Sequence, residues 1–299
     1  MNCCCICGTV KNCSQYIDKV IENMEEIGNT FVDYKILLYY DKSNDDTLYK
    51  LSEHQKRNDK IMFYVNRDPV SDYRTHNIAK GRNYCLHQIR YMYSNYSYFI
   101  MMDCDDVSSC DIDVYVLKKW IERDDEWDAL SFNRKPYYDI WALSISKYLF
   151  SCYHFENTYE QDLFQYITYL MDNTDKNDLI PCYSAFNGFS IYKTHKFINC
   201  EYRGDLLFDF VPIKKLMGIF GPITYKIFPN EDCEHRRFHY EAIDKNNAKI
   251  RISVDMLFKG ELNSNTDEYL NNIPVHIDHH NNTKINNTNN RNMFKMITT

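Results

Sequence analysis

Three clusters of polar residues in this chain have the types and spacing to do chemistry. The first is Asp41-Lys42-Ser43-Asn44-Asp45-Asp46-Thr47, directly after the apolar run Tyr34–Tyr40. The second is Asp103-Cys104-Asp105-Asp106, directly after Ser97–Met102. The third is Asn230-Glu231-Asp232-Cys233-Glu234-His235-Arg236-Arg237-Phe238-His239. Carboxylates gathered in one crevice repel one another unless a cation joins them. Hard oxygen ligands suit Mg²⁺ or Mn²⁺, ions usually held by one or two carboxylates plus substrate phosphates. The inferred ligand is therefore a metal-chelated diphosphate. In the third cluster His235 and His239 are i and i+4, one face of any helix there. That spacing also suits zinc, although no H-E-x-x-H is present.

Positioning these groups requires strands that end together. Residues 3–10 read as a buried strand. A helix capped by Ser14 follows, with Ile17, Val20, Ile21, Met24 and Ile27 on one face and Gly28 as its closing C′ residue. Strands are expected over 34–40, 61–65 and 97–102. A helix over 76–93 carries Ile78, Cys85, Leu86, Ile89 and Met92 on its apolar face. The alternation β-α-β-α-β-α-β predicts an α/β fold, with a mostly parallel central sheet flanked by helices. Residues 131–258 read as a mixed half with a late strand at 249–254. The apolar run Ile223–Phe228 would anchor the third cluster. From 259 to 299 apolar periodicity is lost and 281–292 are Asn-rich, which reads as a partly disordered tail. In an open α/β sheet, ligands bind beyond the carboxyl ends of the strands, where the first two acid clusters fall.

At these residues the chain resembles the GT-A-fold, nucleotide-sugar-dependent glycosyltransferases. An apolar strand running into Asp103-x-Asp105 is similar to their DxD metal motif. Tyr40-Asp41-Lys42-Ser43-Asn44-Asp45-Asp46-Thr47 is similar to their first-crossover turn, with Tyr40 in place of the first Asp, so Asp41 would contact the nucleobase. Gly81-Arg82-Asn83 resembles the Arg-Asn step preceding the metal motif. Arg82 shares a face with Cys85 and Leu86, and an inward Arg needs an anion such as a phosphate or Asp103. Ala185–Tyr192 resembles the loop beside the donor sugar, where Gly188 would let backbone approach the ligand. Asn230–His239 resembles the x-Glu-Asp segment, which implies a base at Asp232 or Glu234 and a metal-completing His at His235 or His239. The resemblance thus implies a GT-A-like domain over 1–258, with a nucleotide-binding half (1–130) and an acceptor and catalytic half (131–258). It implies Asp41, Arg82, Asn83, Asp103 and Gly188 at the donor, Asp103 and Asp105 at Mn²⁺ or Mg²⁺, and a UDP- or GDP-linked sugar passed to a glycan hydroxyl. The implied reaction inverts with a carboxylate base. Two further readings are a sugar-phosphate nucleotidyltransferase and a non-enzymatic divalent-cation-binding protein. The first expects a Gly-rich loop after strand one, where only Gly8 stands, and the second expects EF-hand glycines that neither acid cluster has.

Tyr137-Tyr138-Asp139-Ile140-Trp141 and Arg134 read either as a sugar-packing surface or as a core aromatic cluster. The 299 residues, 44% hydrophobic and 26% charged, can bury a sizeable core. Their net charge of −7 argues against nucleic-acid or anionic-membrane partners. No run of 18 apolar residues predicts a membrane span, and the amino terminus lacks the regions of a signal peptide. A cytoplasmic protein is expected, in a host cell if viral; a viral or protist origin fits the Asn-, Ile-, Lys- and Tyr-rich composition. The twelve cysteines lack the second pair a zinc site needs and are expected to be buried thiols.

Overall fold

In the computed structural model, residues 2–146, 148, 149, 151, 159–205 and 231–260 are described. The expected anchor Ile223–Phe228, Asn230 and the tail from 261 onward lie outside them. Strand β1 (Cys3–Val10) is apolar on both faces: Cys4 and Ile6 enter one core, Cys5 and Cys7 the other. Two-sided burial explains its unbroken apolar run. These cysteines are buried free thiols, as composition implied. On either side of β1, and parallel to it, lie β2 (Asp33–Tyr40) and β4 (Tyr98–Met102); β3 (Ile61–Val65) extends the sheet beyond β2.

The second half adds β5 (Ala129–Asn133), β6 (Leu179–Cys182), β7 (Phe189–Lys193) and β8 (Ile250–Met256). Among the described residues one eight-stranded sheet runs β3-β2-β1-β4-β7-β5-β8-β6. Strand β7 is antiparallel to both β4 and β5, while β5 and β8 are parallel. The α/β fold with a parallel first half and a mixed second half is therefore present. Helices α1 (Ile17–Gly28), α2 (Thr47–Arg57) and α4 (Val114–Ile121) cover one face through Val20, Ile21, Leu51, Leu117 and Trp120. Helices α3 (Arg74–Met92), α5 (Tyr159–Asn173), α6 (Thr194–Phe197) and α7 (Glu234–Asn246) cover the other. Among the described residues no helix is long and apolar enough to cross a membrane.

Local differences from the sequence expectations have local causes. Ser14 does not cap α1, which begins at Ile17. The N–H groups of Cys13 and Ser14 donate instead to Thr47 Oγ1 and Asp45 Oδ2, both at 3.0 Å, so the chain is committed to the β2–α2 turn before it coils. Gly28 is the last residue of α1 and Asn29 its cap. Met92, expected on the buried face of α3, is 57% exposed, because that face is formed by Ala79, Arg82, Cys85, Leu86 and Ile89.

Helix α3 lies unusually close to the sheet. A Cβ on Gly81 would meet Thr9 Cγ2 at 2.6 Å and the Tyr39 ring at 2.7 Å. That close approach sets where the next residue, Arg82, enters the protein. Gly81→Ala should overpack this contact and cost about 1–3 kcal/mol, read as a lowered urea midpoint with unchanged slope.

Candidate active site

The strand ends form one ordered edge. Strand order reverses between β1 and β4, the topological switch point where open α/β sheets bind ligands. On one side of that point β2 ends at Asp41. Its carboxylate accepts from Lys42 N–H at 2.9 Å and Asn66 Nδ2 at 3.1 Å, and pairs with Lys11 Nζ at 3.5 Å. Asp45 of the same turn braces the start of α2: its Oδ1 accepts from Thr47 N–H at 3.1 Å and Thr47 Oγ1 at 2.5 Å. Burial works against its ionisation, but bonds from Thr47 and Ser14 outweigh it and bring the carboxyl to about 2.

Across the switch point β4 ends at Asp103, whose N–H donates to the Gly188 carbonyl at 2.9 Å. Gly188 has φ +82°, and a Cβ there would meet Val107 Cγ1 at 2.5 Å and lie 3.9 Å from Asp103 Oδ2. The glycine thus keeps the edge beside Asp103 open. Asp105 accepts from Val107 N–H at 3.2 Å. The turn is pinned from below by Asn23, whose amide donates to the carbonyls of Ser108 at 2.9 Å and Cys110 at 2.7 Å. Burial, together with the Asp103 and Asp106 carboxylates, pushes Asp105 up to about 7.

Arg82 ties this edge to α7. It is buried; Nη2 donates to Asp103 Oδ1 at 3.0 Å, and Nη1 contacts Glu234 Oε1 and His235 Nε2. Its guanidinium lies 4.6 Å over the Phe186 ring. Burial alone would lower the Arg82 pKa, but the Glu234 and Asp103 carboxylates raise it above its ordinary value. Burial raises Asp103, with Arg82 opposing. His235 is driven down by burial and then by the Arg82 cation, so its neutral ring accepts from the guanidinium. No sequence pattern announced this three-way contact, although Arg82 itself was legible as an inward cation seeking an anion.

The remaining expected residues are used as follows. Asn83 is a clasp: its amide donates to the Tyr202 carbonyl and accepts from the Tyr202 N–H, both at 2.8 Å. Glu231 accepts from Thr75 N–H at 2.9 Å and Thr75 Oγ1 at 2.6 Å, at the start of α3. Asp232 is 1% exposed and pairs with Arg236 Nε at 3.1 Å, while Oδ1 takes the Cys233 N–H at 2.7 Å. His239 has both ring nitrogens engaged, Nδ1 with Ser184 Oγ at 2.9 Å and Nε2 with Tyr192 Oη at 3.1 Å. Burial, then Arg82, lowers it to about 3. Of the residues expected at the site, Arg82, Asp103, Glu234 and His235 are brought into contact, with Asp105 and Gly188 beside them. Asp41 stands two strands away, and Asn83, Asp232 and His239 are bonded into the scaffold.

Among the described residues no group of three or more His, Cys, Asp or Glu is arranged to hold a metal ion. The donor set nevertheless splits clearly. Asp103 and Asp105 are half-buried hard-oxygen donors with a charge deficit between them, which fits Mg²⁺ or Mn²⁺ completed by phosphate oxygens. The imidazoles do not fit. His239 is saturated, and the Nε2 of His235 already faces a guanidinium.

Asp139 emerges at the same edge. Its N–H and that of Tyr138 donate to Asn187 Oδ1 at 3.1 and 2.9 Å, and its Oδ1 accepts from Ala142 N–H at 3.1 Å. Burial lifts its carboxyl to about 7; the Asp103 and Glu234 charges add to the shift, while the Ala142 N–H and Arg82 oppose it. Its neighbours Tyr137 and Ile140 are core residues, so the aromatic part of this segment packs inward.

Residues 5–193 match the family model described as Glycosyl transferase family 2. No curated protein matches the chain. Among solved structures, S. aureus TarS is 13% identical and aligns over 90% of this chain and 38% of its own length, with a TM-score of 0.47. Mannosyltransferase PcManGT from Pyrobaculum calidifontis, in complex with GDP-Man and Mn²⁺, is 8% identical over 84% of this chain and 56% of its own, with a TM-score of 0.37. Glucosyl-3-phosphoglycerate synthase from Mycobacterium tuberculosis, in complex with Mn²⁺, UDP and phosphoglyceric acid, is 8% identical over 90% of this chain and 73% of its own, with a TM-score of 0.47. The chain spans well under half of the full TarS chain, and 63% of its 1–349 fragment.

Arg82→Met should strand the buried Glu234 carboxylate and cost about 3–5 kcal/mol in urea unfolding. Asp139 gives a pH signature. An acid whose folded pKa is raised keeps its full contribution below its unfolded value near ~3.9 and loses it as pH rises through the folded value. In EDTA, wild-type protein should therefore lose stability relative to Asp139→Asn between pH 5 and pH 8, as read by urea midpoints at each pH. A constant difference across that range would contradict the assignment.

Proposed function

The chain belongs to glycosyl transferase family 2, and we propose that it moves a sugar from a UDP- or GDP-linked donor to a glycan hydroxyl, with inversion. The observation that carries this reading is the order of groups along one sheet edge inside the family match: Asp41, the switch point, Asp103 with Asp105, then Gly188. Adjacent strands are about 4.8 Å apart, so β2 to β7 spans roughly 14 Å, the scale of an extended nucleoside diphosphate. Asp41 then faces the nucleobase end and Gly188 the sugar end.

Asp103 and Asp105 are the residues that would hold Mn²⁺ or Mg²⁺ with the donor diphosphate. A divalent ion bound there supplies positive charge to the leaving diphosphate. Arg82 fixes the Asp103 carboxylate through one fork arm, so the metal-binding oxygen is presented in a set direction. Resemblance offers Asp232 or Glu234 as the base. Each would have to leave a buried ion pair first, Asp232 from Arg236 and Glu234 from Arg82.

Calorimetry tests the reading. Wild-type protein should bind UDP or GDP with MnCl₂ present and bind at least about tenfold more weakly in EDTA. Asp105→Ala should bind with the weak affinity in both buffers. Metal-independent binding, unchanged in the variant, would rule out Asp105 as a ligand.

A further inference from the structure

Resting on the transferase reading above, we propose that Asp139 is the catalytic base that deprotonates the acceptor hydroxyl. The geometry of the sheet edge leads there. Strand β4 pairs Met102 with Phe189 of β7, and β7 pairs Ser190 with Ser131 of β5. Continuing both registers by one or two positions puts Asp103, Gly188 and Asn133 in one row across the edge. The chain leaving Asn133 turns back over that row. Asn187, adjacent to Gly188, holds the Tyr138 and Asp139 N–H groups and anchors its own amide on the Phe132 carbonyl at 2.9 Å. Asp139 therefore stands beyond the sugar position, on the opposite side from Asp41. Two strand spacings, roughly 10 Å, separate the rows of β4 and β5. That interval accommodates a β-phosphate, an anomeric carbon and an incoming hydroxyl in line.

The two acids offered as the base by resemblance are already neutralised by direct cation pairs. Glu234 pairs with Arg82 and Asp232 with Arg236, and both are 3% exposed or less. Asp139 is half-buried, and among the described residues no cation is bonded to it; its Oδ1 accepts from the Ala142 N–H. The charged groups that act on it are Asp103 after β4, Glu234 on α7 and Arg82 on α3. Burial first, opposed by the Ala142 N–H and adjusted by these charges, pushes its carboxyl up to about 7, the range in which a general base is most effective.

The step balances without a further reactant. The Asp139 carboxylate takes the hydroxyl proton as the acceptor oxygen bonds to the anomeric carbon. The anomeric C–O bond to the diphosphate breaks, and its electron pair leaves on the β-phosphate oxygen. Products are the inverted glycoside and the nucleoside diphosphate, and the proton passes from Asp139 to solvent.

The test uses the whole chain with MnCl₂ and UDP-GlcNAc, UDP-glucose and GDP-mannose as donors, reading release of UDP or GDP to water or to a panel of glycan acceptors. Asp139→Asn keeps an acceptor for the Ala142 N–H, so it should fold and bind UDP or GDP within about twofold of wild type. Turnover should fall at least a hundredfold, within the ~10²–10⁴-fold range of general-base help. Sodium azide is a nucleophile that carries no proton to remove. It should restore turnover in Asp139→Asn and yield a glycosyl azide of inverted configuration. Retained turnover in Asp139→Asn, or loss that azide does not rescue, would overturn the base assignment alone. Wild-type protein that binds neither nucleotide, or turns over none of the donors, would overturn the transferase reading and the base assignment together.

Discussion

One buried guanidinium fixes the geometry on which everything else at this edge depends. Arg82 bridges the end of β4 and the first turn of α7, segments 131 residues apart from Asp103 to Glu234, and it also meets a neutral imidazole. A buried ion pair repays its desolvation only when the geometry is good and the remaining donors are bonded. A guanidinium achieves this through its planar fork, which serves two carboxylates from different elements at once; a lysine ammonium, as a point charge, would leave one of them short. The His235 ring is held neutral by burial and then by that cation, and Phe186 stacks against it, with ring centroids 3.7 Å apart. Chemistry and folding are thereby coupled. The helix that carries Glu234 and the strand that carries Asp103 are held to the same guanidinium, so a shift of either is felt by the other.

That coupling is made possible by close packing on the sheet's second face. Gly81 lets α3 approach β1 and β2, and the next residue then reaches the crevice without extending across solvent. Asn83, one step further, clasps the Tyr202 backbone, whose ring stacks on Phe238 of α7 at 3.9 Å. Glu231 meets the first turn of α3, where a carboxylate is favoured by the exposed N–H groups and the helix dipole. Three consecutive residues of α3 and the acids before α7 are thus parts of one joint.

How far the sequence discloses this depends on range. Strands β1, β2 and β4 were readable because burial on both faces leaves long apolar runs, and β3 as a short apolar run at the sheet edge; the carboxyl ends of β2 and β4 located Asp41, Asp103 and Asp105. Arg82 was readable as a charge on an apolar helix face. What sequence could not disclose were partners: Arg236 for Asp232, Ser184 and Tyr192 for His239, Tyr202 for Asn83. Each of these contacts, apart from the Asp232–Arg236 pair within one helical turn, joins residues 47 or more positions apart. Residue type alone made His235 and His239 look like ligands. Their ring nitrogens are consumed by neighbours that no local pattern names. Ser14 shows the same limit: the N–H groups of Tyr16 and Ile17, which its side chain would have capped, donate to the Cys13 carbonyl, while the Cys13 and Ser14 N–H groups are held by the distant turn Asp45 to Thr47.

The acids of this protein consequently fall into two groups by what neutralises them. Asp232 and Glu234 are paired with arginines inside the fold, and breaking either pair leaves a buried charge behind. Among the described residues Asp105 and Asp139 have no such partner, and burial pushes both up to about 7. An unpaired acid is costly to keep, and where environments push similar groups apart, their roles separate as well. On the proposed reading a divalent cation would relieve Asp105 at the diphosphate side of the edge, and the acceptor's proton would relieve Asp139 at the other. The row of Gly188 lies between the two, and its lack of a side chain would leave space for a sugar ring. The Arg82 and Arg236 pairs serve the architecture, while Asp105 and Asp139 stand at the strand-end edge on backbone hydrogen bonds.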